Sequence, residues 1–167
     1  MNATAFPSGV MTMPVEATEH TGPVVIWRKE LRPDSGGVGK YRGGLGQYME
    51  VGATEGYEFD FSAMFDRVKY PARGRNGGLD GAPTVIAKSD GTIMKAKGKQ
   101  FVAHGKTVKL EFPGGAGYGQ VSERDQALVV RDLARGYISA ESARDNYGLS
   151  DQQINKVLEE AKKGQTE

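Results

Sequence analysis

Two runs of this chain hold residue types that let a ligand approach the backbone or take up an anion. Residues 31–46 carry glycine at 36, 37, 39, 43, 44 and 46, with Asp34 and Arg42 among them. Residues 112–119 carry Gly114, Gly115, Gly117 and Gly119 around Tyr118. Glycine at this density is costly inside a helix or strand, because it loses more backbone entropy than any other residue. Both runs are therefore read as loops that need positive φ or an approach closer than a Cβ allows. For the second run the expectation is positive φ at two or more of its four glycines, with Tyr118 buried as an anchor through its ring and hydroxyl. A third segment, 71–78, places Arg73 and Arg75 before Gly77 and Gly78. Arginine on such a loop forks onto a carboxylate or phosphate, or pairs with a structural aspartate such as Asp66. The structural pairing is the commoner use.

Other chemistries fit poorly. Gly105, Lys106 and Thr107 end like a phosphate loop, but Gln100 stands where its first glycine belongs. Cysteine is absent, and His20 and His104 are far apart and lack metal-ligand spacing, so no metal site is expected. There is no Gly-x-Ser-x-Gly elbow. Lys and Arg number 22 against 21 Asp and Glu, and residues 1–120 (15 against 12) and 121–167 (7 against 9) are each near balance. That balance argues against a nucleic-acid partner. No apolar run approaches the length of a membrane span, and the opening residues lack a signal peptide's basic start and apolar stretch. The Asn2 sequon is then without meaning, and a cytoplasmic location is expected.

The elements that must position these loops come next. β-Branched and aromatic residues predict strands at 24–31 and 47–51, alternation predicts 57–61 and 107–112, and Asp90-Gly91 predicts a hairpin joining 84–88 to 92–95. Residues 1–23 read as an extended lead-in. Beyond residue 120 the pattern becomes helical: a capping box opens at Ser122, Gly136 stops the first helix, Ser139 caps a second and Ser150 a third. Ile154, Val157, Leu158 and Ala161 form its apolar stripe. The expectation is a mainly β (α+β) chain, an antiparallel sandwich or barrel-like domain over 1–120 with glycine-rich loops, followed by a helical tail over 121–167. Residues 138–158 have the rhythm of a helix-turn-helix, but the second helix opens on Asp151 and the tail is net negative, so a packing hairpin is preferred over DNA binding.

The ordered motifs resemble a known family. Residues 31–46 are similar to a signature near the C-terminal end of hydantoinase B/5-oxoprolinase subunits. The loop from Asp66 and Arg67 to Gly78, the run from Pro113 to Gly119, and Glu123, Asp125, Asp132, Gly136, Tyr147 and Gly148 continue the likeness in the same order. The resemblance covers roughly 13–149 and matches only the C-terminal portion of such subunits.

It implies an ATP-dependent system that opens a cyclic amide such as hydantoin or 5-oxoproline. A hydantoinase A-type subunit phosphorylates the ring amide, and the B-type partner handles the activated intermediate. ATP and a divalent metal are implied for the whole complex and none for this chain, whose partners would be the A-type subunit and the N-terminal portion of B in a hetero-oligomer. Ring opening then needs water, a base and charge stabilisation. Candidate carboxylates are Glu16, Asp34 and Asp66; candidate substrate contacts are Arg42, Arg73, Gly114 and Gly115. The alternatives are a subunit of a related ATP-dependent acetone- or acetophenone-type carboxylase, or a non-catalytic assembly domain. The chain alone is expected to fold and to open no ring.

Overall fold

The computed structural model describes residues 13–164. The Asn2 sequon and the opening segment lie outside the described residues. Among the described residues six strands form two antiparallel sheets: β1 (Val24–Arg32), β2 (Gly46–Ala53), β3 (Phe59–Met64), β4 (Val85–Lys88), β5 (Lys97–Val102) and β6 (Thr107–Glu111). The larger sheet runs β1-β2-β6-β4 and the smaller pairs β3 with β5. Alternation explains the layering. Val108 and Leu110 of β6 are buried while Lys109 between them is exposed, and they meet Ile86 of β4, Val102 of β5 and the half-buried Phe59 and Phe61 of β3 in one core. The mainly β, sandwich-like expectation is therefore met.

Local differences have local causes. The lead-in is not wholly extended, because α1 (Val15–Glu19) forms a helical turn and the Glu19 side chain then accepts the N–H of Ile26 in β1. The Asp90-Gly91 turn closes as expected, with Gly91 at φ 86° and its N–H on the Lys88 carbonyl. Residues 92–95 turn back on β4 through hydrogen bonds from Lys88 N–H to Thr92 O and from Met94 N–H to Ile86 O and an isolated bridge from Ile93 to Ala87, but they form no strand, and the strand that pairs with β4 is β6. β5 begins Lys97-Gly98-Lys99, which carries no apolar alternation; it is a strand because β3 supplies the ladder.

The tail holds α2 (Gln126–Ala134), α3 (Ala140–Asp145) and α4 (Asp151–Lys163). Asp125, not Ser122, caps α2: residues Val121–Glu123 are a 3₁₀ turn, and the Asp125 side chain accepts the Ala127 N–H at 2.9 Å. Ser139 caps α3, and Ser150 with Gln153 forms a full capping box on α4. Leu133, Val157 and Leu158 pack together with Val129, Ile138 and Ile154. Val38, from the first glycine-rich loop, packs into this same cluster, so the tail's core grips the loop. Among the described residues no helix is long and apolar enough to cross a membrane.

Candidate functional site

The three glycine-bearing segments interlock. Gly37 N–H donates to the Gly115 carbonyl and Gly115 N–H to the Gly44 carbonyl, each at 2.8 Å. Tyr41 and Tyr118 exchange a pair of backbone hydrogen bonds at 2.9 and 3.0 Å. The 71–82 segment closes the other side, with Gly117 N–H on Leu79 O at 2.9 Å and Leu79 N–H on Val38 O at 2.7 Å. These bonds satisfy backbone groups that buried loops would otherwise leave unpaired.

The physical reason for the glycines is closeness. A Cβ at Gly114 would overlap the Ser35 carbonyl, one at Gly117 the Val38 carbonyl, and one at Gly81 would lie 2.6 Å from the carbonyl oxygens of both Gly114 and Gly115. The expectation of positive φ at two or more of the four glycines is corrected: of these only Gly119 has it, at 78°. Gly114 and Gly117 are instead positions where neighbouring backbones leave no room for a side chain. Tyr118 is also not buried. It is half exposed, and its hydroxyl accepts from Asn76 Nδ2 at 2.7 Å.

One buried carboxylate ties this frame to the tail. Asp132, on α2, is fully buried; its Oδ2 accepts from Arg42 Nε at 2.9 Å and Arg124 Nη2 at 2.5 Å, and its Oδ1 from Arg131 Nη2 at 3.4 Å. Burial pushes the Asp132 carboxyl up, but the Arg42 hydrogen bond and the Arg42 and Arg124 charges outweigh it and hold the group below its ordinary value. Arg124 also donates to the Lys40 carbonyl, and Lys40 Nζ pairs with Glu123 at 2.9 Å. Sequence reasoning did not single out Asp132 as a site. The signal was an acid beside Val129 and Leu133 on the apolar stripe of α2, where a charge is stable only if paired.

The anticipated residues fall in different places. Asp34 sits at φ 56°, donates its N–H to Tyr137 O at 3.1 Å and accepts the Ser139 N–H on Oδ1 at 3.0 Å. It lines an open groove of about 570 Å3 between β1–β2 and the α2–α3 turn, with Arg28, Glu30, Tyr48, Arg135 and Tyr137. Arg42 turns inward, its Nη1 on the Gly43 carbonyl and its guanidinium 5.8 Å from the Tyr137 ring. Asp66 is exposed and bonded to Lys97 Nζ at 2.6 Å, which holds its carboxyl below the ordinary range. Glu16 is exposed on α1 and Arg73 is exposed on the third loop. Gly114 is buried and Gly115 half-buried at the centre of the frame. Asp34, Arg42, Gly114 and Gly115 thus belong to one connected frame. Among the described residues no three His, Cys, Asp or Glu side chains converge on a point that could hold a metal.

The frame has counterparts in known proteins. A family model described as hydantoinase B/oxoprolinase matches residues 1–121. A putative D-/L-hydantoinase component of the B type from Pseudomonas sp. (strain NS671) is 32% identical over 143 residues, covering 82% of this chain and 24% of that protein. The crystal structure of the ATP-dependent caprolactamase from Pseudomonas jessenii superposes with a TM-score of 0.72 at 26% identity, over 87% of this chain and 28% of that one. A nucleotide-free acetone carboxylase structure matches with a TM-score of 0.71 at 18% identity, which speaks for the fold alone. The chain spans about a quarter of the length of the curated relatives it matches first.

Proposed function

The chain belongs to the hydantoinase B/oxoprolinase family, and from that premise we propose that it acts as the C-terminal part of a B-type subunit in ATP-dependent hydrolysis of a cyclic amide, hydantoin or 5-oxoproline being the model substrates. The observation that carries this reading is the combined sequence and structural match to an ATP-dependent caprolactamase, a protein named for a cyclic amide. Carboxylation is the lesser reading, because its structural relative falls below the identity at which more than fold is argued.

In this reading ATP and the divalent ion sit on the A-type subunit and the N-terminal portion of B, since the donor set for a metal is not present among the described residues. The contribution of this chain is a rigid frame. Interlocked backbones fix Gly114 and Gly115, whose N–H is held on the Gly44 carbonyl, and Asp132 fixes Arg42, so the loop walls that would face an opening ring need no reorganisation when charge develops on it. Asp34, held by Tyr137 and Ser139 beside the groove, is the proposed base-side carboxylate, and Arg73, exposed on the third loop, is the weaker candidate for an anion contact. Glu16, exposed on α1, and Asp66, exposed and already engaged by Lys97, are weaker candidates for the base. The assembled protein is a hetero-oligomer located in the cytoplasm.

The test is a substrate panel. The chain, an A-type subunit and the N-terminal portion of B are combined with hydantoin, 5-oxoproline or caprolactam, with and without ATP, and separately with acetone and labelled bicarbonate. ATP-dependent appearance of a ring-opened acid supports the proposal. Label fixed into acetone, with every ring left intact, replaces it by the carboxylase reading.

A further inference from the structure

The frame presents a face that its internal contacts do not use. Residues 67–79 hold Arg67, Lys69, Arg73 and Arg75 and no acidic residue. The flanking acids are already engaged, Asp66 by Lys97 and Asp80 by the Gly74 N–H at 2.8 Å. Among the described residues no carboxylate bridges to any of the four cations. Beside them stand four large side chains open to solvent: Tyr41, Tyr70, Leu79 and Tyr118, at 62%, 67%, 51% and 50% exposure. Tyr41 and Arg75 both form backbone bridges to Tyr118, and the two tyrosine rings lie 6.4 Å apart, so the basic loop and the exposed aromatics are held side by side.

This surface is pre-shaped. Among the described residues three non-glycine positions have positive φ, and two of them lie in this loop, Arg67 at 60° and Asn76 at 51°. Such backbone persists where the surroundings over-determine it, and it gathers at ligand clamps and switches. A small anion would use the guanidinium groups and leave the three tyrosine rings and Leu79 wet. A protein surface uses both, and tyrosine with arginine is the composition enriched at interface centres. The unneutralised charge sets the sign of that partner. The relatives are more than three times as long as this chain, so in them a large body of protein is available to cover such a face.

Resting on the functional reading above, we propose that the 67–79 loop with Tyr41 and Tyr118 docks an acidic surface of the N-terminal portion of a B-type subunit. The experiment places a photo-crosslinking phenylalanine derivative at Tyr41 or Tyr70, and at Trp27 or Val130 as exposed sites on other elements, in the full chain expressed in its own cells. Mass spectrometry identifies the captured polypeptide and the contact peptide. The expected result is a B-type N-terminal portion captured through an acidic peptide from Tyr41 and Tyr70, at least tenfold more than from Trp27 and Val130. The paired substitution Lys69→Glu/Arg75→Glu should lower that capture about tenfold with the melting temperature unchanged. Capture from Trp27 or Val130 in place of the loop overturns the docking face and leaves the functional reading standing. Capture of a different class of protein by the loop, or indifference to charge reversal, also overturns the docking proposal. If no position captures a B-type polypeptide, both fall.

Discussion

Replacing Asp132 by alanine removes the one counter-charge shared by two arginines whose side chains are 5% (Arg124) and 13% (Arg42) exposed. Breaking a buried ion pair from one side costs about 3–5 kcal/mol, because the remaining charge is left desolvated. Here two cations are stranded, which points to the upper half of that range, against a total stability of roughly 5–15 kcal/mol. At about 2–4 °C per kcal/mol for a chain of this size, the melting temperature should fall by about 8–20 °C. Arg131 is the internal control: it meets the same carboxylate at 3.4 Å but is 49% exposed, so Arg131→Ala should cost about 1 kcal/mol or less. Urea and thermal unfolding followed by circular dichroism read both variants, and amide exchange should rise at Tyr41 and Gly43 in Asp132→Ala before global unfolding. The combined variant Asp132→Leu/Arg42→Met/Arg124→Leu should recover most of the loss, since an apolar core needs no pairing. Equal costs for Asp132→Ala and Arg131→Ala, or unchanged exchange at Tyr41 and Gly43, would refute the idea that Asp132 clamps the frame.

Four further outcomes are expected. Gly114→Ala and Gly117→Ala should each destabilise by about 3 kcal/mol or more, at the severe end of overpacking, because the obstacle is a carbonyl. Gly136→Ala, at φ 66° with open space around it, should cost only about 1–2 kcal/mol, and denaturant midpoints separate the two classes. Leu133→Ala should cost about 2–5 kcal/mol in the tail core, while gel-shift with duplex DNA shows no retention. A carboxyl depressed in the fold contributes stability that is present above its unfolded pKa and lost as pH falls through the folded value. Asp132 should therefore make the parent lose stability below pH 3.8, and Asp132→Asn should flatten that acid limb in unfolding curves taken across pH. The Asp90 carboxyl, hydrogen-bonded by Thr92 and paired with Lys106, should titrate at about 2 by carbon-detected NMR, and a midpoint near 3.8 would show the hairpin turn is open in solution.

The sequence made some of this legible and hid the rest for physical reasons. β1, β2 and β6 could be read because their side chains alternate or are β-branched, and α4 because its capping box and apolar stripe are local signals. β5 was hidden because pairing with β3, a contact across some forty residues, makes a strand of Lys97-Gly98-Lys99. The glycine runs announced special geometry, but they did not say which kind. Whether a glycine serves a turn or a close approach depends on the neighbouring chain, and Ser35 against Gly114 is not visible from either segment alone. Asp132 was similarly hidden: its acid on an apolar stripe signals a buried partner, yet Arg42 lies 90 residues away.

The most direct test of the account is a dropout measurement on the assembled system. ATP-dependent ring opening is followed with the A-type subunit and N-terminal portion of B alone, with this chain added, and with its Asp132→Ala variant added. The account predicts turnover only when the parent chain is present, none from the chain by itself, and sharply lower turnover with the variant. Full turnover without the chain, or ring opening by the isolated chain, would contradict it.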